Sequence, residues 1–189
     1  VYSYDRTAKE IPIGIIMNSS KDASTRRKTG RAGHKASAAR LAAVQALYEI
    51  DLTGAESRQV VSDFVDKRWR SVTLRDPDST PGEGGKARLP NPDPDFLRTI
   101  VDGVNDNSDD LNKTIEQVLE GEWTLERLDA LMRNLLRAGA YEMTHMPNVP
   151  DKTILSEYGD LAHTFFDEKD AKFANGVLHN LIKLIRPAN

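Results

Sequence analysis

Cysteine is absent from the chain, so neither a disulfide framework nor a thiolate metal site can be built. Histidine is scarce, and His34, His145, His163 and His179 stand nowhere at the close spacing of a zinc-binding helix. No metal or other cofactor is expected. Long apolar runs are missing too. The longest, Ile11 to Met17, is broken by Pro12 and Gly14 and falls far short of the roughly 20 residues that a membrane helix needs. It also lacks the basic lead and small-residue cleavage site of a secretory signal, so a cytoplasmic protein with no membrane association is expected. No β-branched alternation is long enough for a strand. Enzyme signatures are equally lacking: there is no Gly-x-Ser-x-Gly elbow and no His-Glu-x-x-His. The stretch from Gly30 to Ser37 resembles a phosphate loop only faintly, because its spacing is wrong and no strand feeds it. His163 near Asp160 and Asp167 has the residue types of an acid–base pair, but a charged surface helix produces such neighbours by chance. The chain reads as a non-enzyme.

What is present is an ordinary globular balance, 39% hydrophobic and 29% charged over 189 residues, for which one domain is the default. Charge is distributed unevenly. Residues 1–40 carry nine Lys or Arg against three acids, and residues 41–189 carry seventeen against twenty-six. A basic arm on an acidic body points to nucleic acid or to an acidic partner surface. Met17 opens a hydrophilic stretch typical of a natural start, so residues 1–16 are read as a non-native extension and set aside from the fold. Residues 21–35 are polar, basic and nearly without large apolar groups, and cannot fold alone. Residues 1–34 are accordingly read as a flexible basic arm and 35–187 as the folded domain.

Helical periodicity begins near Ser37, with Leu41, Val44, Leu47, Tyr48 and Leu52 on one stripe and Gly54 as its stop. Val61, Phe64 and Val65 predict a second helix over 56–69. Residues 76–94 hold five prolines and three glycines and predict a long surface loop. Asp93 and Pro94 then supply a cap and a first-turn proline for Leu97, Ile100, Val101 and Val104. Ser108, Asp109 and Asp110 open a fourth helix carrying Leu111, Ile115, Val118 and Leu119, closed by Gly121. Thr124 is expected to cap a long fifth helix through Leu125, Leu128, Met132 and Leu135, ended by Pro147 and Pro150. Ile154 to Phe165 and Phe173 to Ile185 give the sixth and seventh. The expectation is all-α, about seven helices with no sheet.

Two groups of residues carry candidate chemistry. Arg26, Arg27, Lys28, Arg31, Lys35 and Arg40 can each neutralise a phosphate, and flexible arginine-rich segments commonly order on RNA. Phosphate contacts give affinity without sequence choice. Reading single-stranded RNA needs aromatic faces beside polar groups, and Phe165, Lys169, Lys172 and Phe173 supply them at a helix junction. Phe165 and Phe173 also fit apolar stripes, and for each alone a core position is the commoner outcome.

The segments Ala42 to Tyr48 (AAVQALY), Phe96 with Asp102, Gly103 and Val104, Leu135 to Met143 (LLRAGAYEM) and Phe173 to Leu178 (FANGVL), in this order, resemble the NusB family of bacterial transcription antitermination factors from about Lys35 to Pro187. The resemblance implies two packed helical subdomains and a protein that, together with the small-subunit ribosomal protein NusE, binds boxA RNA of nascent ribosomal RNA transcripts. That complex helps RNA polymerase read through terminators. It implies that Lys35 and Arg40 retain part of the family's arginine-rich tract, whose remaining charge here lies upstream at Arg26, Arg27, Lys28 and Arg31. Phe165 and Phe173 match aromatic positions associated with RNA, and Lys169 stands where some relatives carry an acid. Tyr48 and Glu126 match positions at the NusE interface, with Asp129 and Arg133 expected on a neighbouring exposed stripe. The 76–94 loop is longer than is usual in the family. Two alternatives stand beside this reading: a NusB-like regulatory domain of an RNA cytosine methyltransferase, and a helical protein-interaction module without RNA binding.

Overall fold

The computed structural model describes residues 31–68, 73–75, 86–88 and 90–187. Among them are seven α-helices: α1 (Arg31–Thr53), α2 (Ser57–Asp63), α3 (Pro94–Asp106), α4 (Ser108–Glu116), α5 (Ala130–His145), α6 (Asp151–Phe165) and α7 (Glu168–Ile185). A π-helical turn, Phe64–Arg68, extends α2, and Trp69, the end of the second helix expected from sequence, lies outside the described residues. The one departure from the strand-free expectation is a small antiparallel ribbon, β1 (Thr73–Arg75) with β2 (Lys86–Arg88), whose register pairs Leu74 with Ala87. Part of the Pro- and Gly-rich loop is thus the second strand of this ribbon.

Local signals set several helix ends. Asp93 accepts hydrogen bonds from the backbone N–H groups of Asp95 and Phe96, both at 3.1 Å, and Pro94 occupies the first turn of α3, where its missing N–H costs nothing. Gly54 closes α1 in the left-handed region, φ +67°, with its N–H on the Ile50 carbonyl. The α1 helix starts at Arg31, earlier than its apolar stripe. The expected fifth helix is divided. Leu125–Arg127 forms one 3₁₀ turn, Leu128 is extended, and Asp129 caps α5 through a hydrogen bond from the Leu131 N–H at 2.8 Å. Leu125 and Leu128 stay buried across the break, so the apolar spacing continues while the backbone does not.

The centre of the molecule is α5, which packs against α1, α3, α4, α6 and α7. The α1 helix buries Ala38, Ala39, Ala42, Ala43 and Ala46; these small side chains let α3 and α5 lie close on either side of it. Gly103 of α3 serves the same end, for a Cβ there would fall inside the Tyr141 ring of α5. At the far end of α7, the Arg186 guanidinium donates to the carbonyls of Glu142, Met143, Met146 and Val149 and to the Asp151 carboxylate, at 2.6 to 3.1 Å. One side chain thereby gathers the carbonyls around the end of α5, two of which, those of Glu142 and Met146, also accept from the Met146 and Val149 N–H groups. No helix among the described residues is long and apolar enough to cross a membrane.

Candidate nucleic-acid interface

The corner between α6 and α7 is built by two local choices. Phe166 leaves α6 in an extended conformation, and Asp167 caps α7 by accepting from the Asp170 N–H at 2.9 Å. The corner leaves Phe165, Phe166 and Phe173 half-buried against the core rather than within it. The rings of Phe165 and Phe166 meet edge to face, 6.3 Å between centroids. Lys169 and Lys172 are exposed on the first turns of α7, and Lys172 reaches Glu168 at 3.0 Å, an exposed pair easily exchanged for a phosphate. The structure therefore brings two lysines and three partly open rings to one corner. The neighbouring His163 faces Asn175 at 3.3 Å and Glu168 at 3.7 Å. Burial raises the Asp160 carboxyl above its ordinary value, opposed by the charge of His163.

Sequence reasoning missed one ring. Trp123, in the turn after α4, packs on Phe173 with centroids 5.1 Å apart and planes tilted by 42°, and is still 51% exposed. It belongs to no helical stripe, so periodicity could not find it; a lone tryptophan in a polar turn was the available signal.

The basic candidates separate. Arg26, Arg27 and Lys28 lie outside the described residues, and Arg31 is described only as the first residue of α1. Lys35 is exposed. Arg40 is not: it is 4% exposed and forks onto Glu142, Nε to Oε1 and Nη2 to Oε2 both at 2.8 Å. Its Nη1 stands 3.6 Å from Glu157, and its guanidinium lies 5.0 Å from the centroid of the Phe96 ring. Tyr158 donates to the same Glu142 at 2.7 Å, and Ser37 donates to Glu157 at 2.9 Å. Burial alone would lower the Arg40 pKa; the bond and charge of Glu142 outweigh it and raise it, so the side chain stays charged. Burial and Glu142 also push the Tyr158 hydroxyl well above its ordinary value. The placement of Arg40 among the phosphate contacts is therefore corrected: its charge is spent inside the fold, on a carboxylate 102 positions away.

The partner candidates divide likewise. Tyr48 is half-buried and Glu126 is exposed in the 3₁₀ turn. Asp129 is the α5 cap, not part of a helical stripe. Arg133 is bound to Asp51 at 2.6 Å, within a seam where Asn134 donates to Asp51 at 3.2 Å and Arg137 stands 3.8 Å from it. Asp51 lies one turn beyond Tyr48, on the same side of α1. No cluster of three or more potential metal ligands occurs among the described residues.

Comparison with known proteins gives one consistent result. The sequence profile described as the NusB family matches residues 37–183. A "Transcription antitermination protein NusB" of Hyphomonas neptunium is 45% identical over 148 residues, covering 78% of this chain and 89% of that protein. One of the same name from Bradyrhizobium sp. strain ORS 278 is 37% identical over 164 residues, covering 87% and 89%. Among solved structures, T. maritima NusB superposes with a TM-score of 0.62 at 23% identity, covering 85% of this chain and 96% of that one. A chain from a complex of antitermination factors NusB and NusE with double-stranded RNA gives 0.60 at 23% identity, covering 78% and 96%. These two likenesses establish the fold.

Proposed function

We propose, from the premise that this chain belongs to the NusB family, that it is a transcription antitermination factor of the bacterial cytoplasm. It binds boxA RNA of nascent ribosomal RNA transcripts together with NusE and helps RNA polymerase read through terminators. It catalyses no reaction. The observation that carries this reading is the 45% identity to a protein named for antitermination, over 89% of that protein's length.

The geometry supports a division of labour. The α6–α7 corner, with Phe165 and Phe173 beside Lys169 and Lys172, has the chemistry for bases and phosphates together. Lys35 and the basic residues preceding it, Arg26, Arg27, Lys28 and Arg31, supply phosphate contacts, and residues 1–34 act as an arm to the domain of 35–187, its last residues, from Arg31 on, running into α1. The NusE surface includes Tyr48 and Glu126, because an acidic body suits a basic ribosomal partner; Asp129 and Arg133 flank it while serving as helix cap and ion-pair residue. The test is electrophoretic retardation of a boxA oligonucleotide and of a scrambled control, with and without NusE. Preferential retention of boxA, strengthened by NusE, is expected. Equal retention of both RNAs would overturn the reading.

A further inference from the structure

A groove of about 570 Å³ runs between the turn after α4 and the outer face of α7, with Trp123, Phe173, Gly176 and Lys172 among its lining residues. Two features of it have no explanation in the packing of the fold. The first is Trp123. Its indole is seated on Phe173 yet half of its surface remains open, although a large apolar side chain loses stabilisation when it is left in water. The second is Gly176, which stands inside the continuous helix α7, where glycine lowers stability relative to alanine. Gly103, Gly139 and Gly159 each have a neighbouring side chain where a Cβ would stand, and Gly176 has nothing within 4 Å. Nothing among the described residues calls for a glycine there, whereas a group approaching the backbone from outside would.

We propose that this groove seats one unpaired RNA base, stacked on the indole of Trp123 and closing on the backbone of Gly176. The inference rests on the RNA-binding reading above and adds two residues to it. An aromatic ring already held by a second ring is pre-organised, so a base stacks on it without first ordering a side chain. Charge decides which part of the nucleotide enters. Glu120 and Glu122 also line the groove, and carboxylates repel a phosphate while accepting hydrogen bonds from the amino and imino groups of a base edge. The phosphate stays outside, within reach of the exposed Lys172.

The experiment uses the full chain, single-stranded boxA RNA and its scrambled control. Gly176→Ala should raise or hold the melting temperature, as an alanine in a helix does, while weakening boxA binding several-fold. Trp123→Leu should weaken it about 5- to 150-fold, the range corresponding to one stacked base. In a Trp69→Phe background, where Trp123 is the one tryptophan left, boxA should quench the indole fluorescence. If the parent chain prefers boxA but either variant binds like the parent, the groove is not the seat of a base: an effect of Trp123→Leu alone makes the indole a support for Phe173, and an effect of Gly176→Ala alone removes the stack. A parent chain that does not discriminate between the two RNAs overturns the functional reading first, and the groove with it.

Discussion

Arg40 and Glu142 are the two residues whose roles depend most on what surrounds them. A charge pair that is 4% and 0% exposed adds little net stability against an apolar pair of the same shape, yet is costly to break from one side. Glu142→Ala should therefore lower unfolding stability by about 3–5 kcal/mol, and Arg40→Met combined with Glu142→Ala should lose clearly less than the sum of the single changes. Urea denaturation of the three variants checks this; simple additivity would mean that the two groups do not act as a pair. Asp51 offers a pH test. Burial would raise its carboxyl, but the hydrogen bond and charge of Arg133, followed by Arg137 and Asn134, hold it below the ordinary value of 3.8. A carboxylate lowered on folding contributes stability that is complete above its unfolded value and is lost as pH falls through its folded one. The stability gap between the parent and Asp51→Asn should thus be full at neutral pH and shrink only below about pH 4; a gap unchanged down to the acid transition would show that the Asp51 charge is not involved. None of this was legible in the sequence. Arg40 looked like a phosphate contact because its basic neighbours are close in the chain while its partner is 102 residues away.

Elements were far easier to read, since a helical stripe and its caps are local. Asp93, Pro94 and Gly54 did what their residue types dictate. The break before α5 was hidden for the opposite reason: Leu125, Leu128 and Met132 keep an apolar spacing that a continuous helix and an interrupted one share, and all three are buried. Asp129, a cap residue in mid-pattern, was the overlooked sign. How close two elements approach is also beyond periodicity. The contact of α3 with α5 depends on Gly103 lying flat against Tyr141, and Gly103→Ala should cost about 1–3 kcal/mol by forcing ring or backbone aside. Adding Tyr141→Ala should relieve part of that, giving a measurable coupling in a thermal-unfolding cycle. Independent, additive losses would place the strain elsewhere.

For the whole molecule, the proposed separation of a basic arm from an acidic body can be tested by salt. Replacing Arg26, Arg27 and Lys28 by alanine should flatten the salt dependence of RNA binding by roughly 0.7 per lost phosphate contact, for boxA and scrambled RNA alike, leaving the preference between them intact. An unchanged slope would remove those residues from the interface. The candidate site was only half legible at this scale. Its lysines and the rings of Phe165 and Phe173 stand close together in the chain, but Trp123 meets Phe173 from a distant turn, and that pairing could be found only by folding. The clasp made by Arg186 extends this to time. Protein synthesis is vectorial, and the carbonyls that end α5 receive this guanidinium only when one of the last residues of the domain has been added. The α7 helix, which carries Phe173 and both lysines of the corner, is likewise the last helix of the domain to leave the ribosome. A prematurely terminated chain would carry whatever the arm contributes without the face proposed to read bases. On the proposed reading, the order of translation withholds discrimination between RNAs from any chain that has not reached α7.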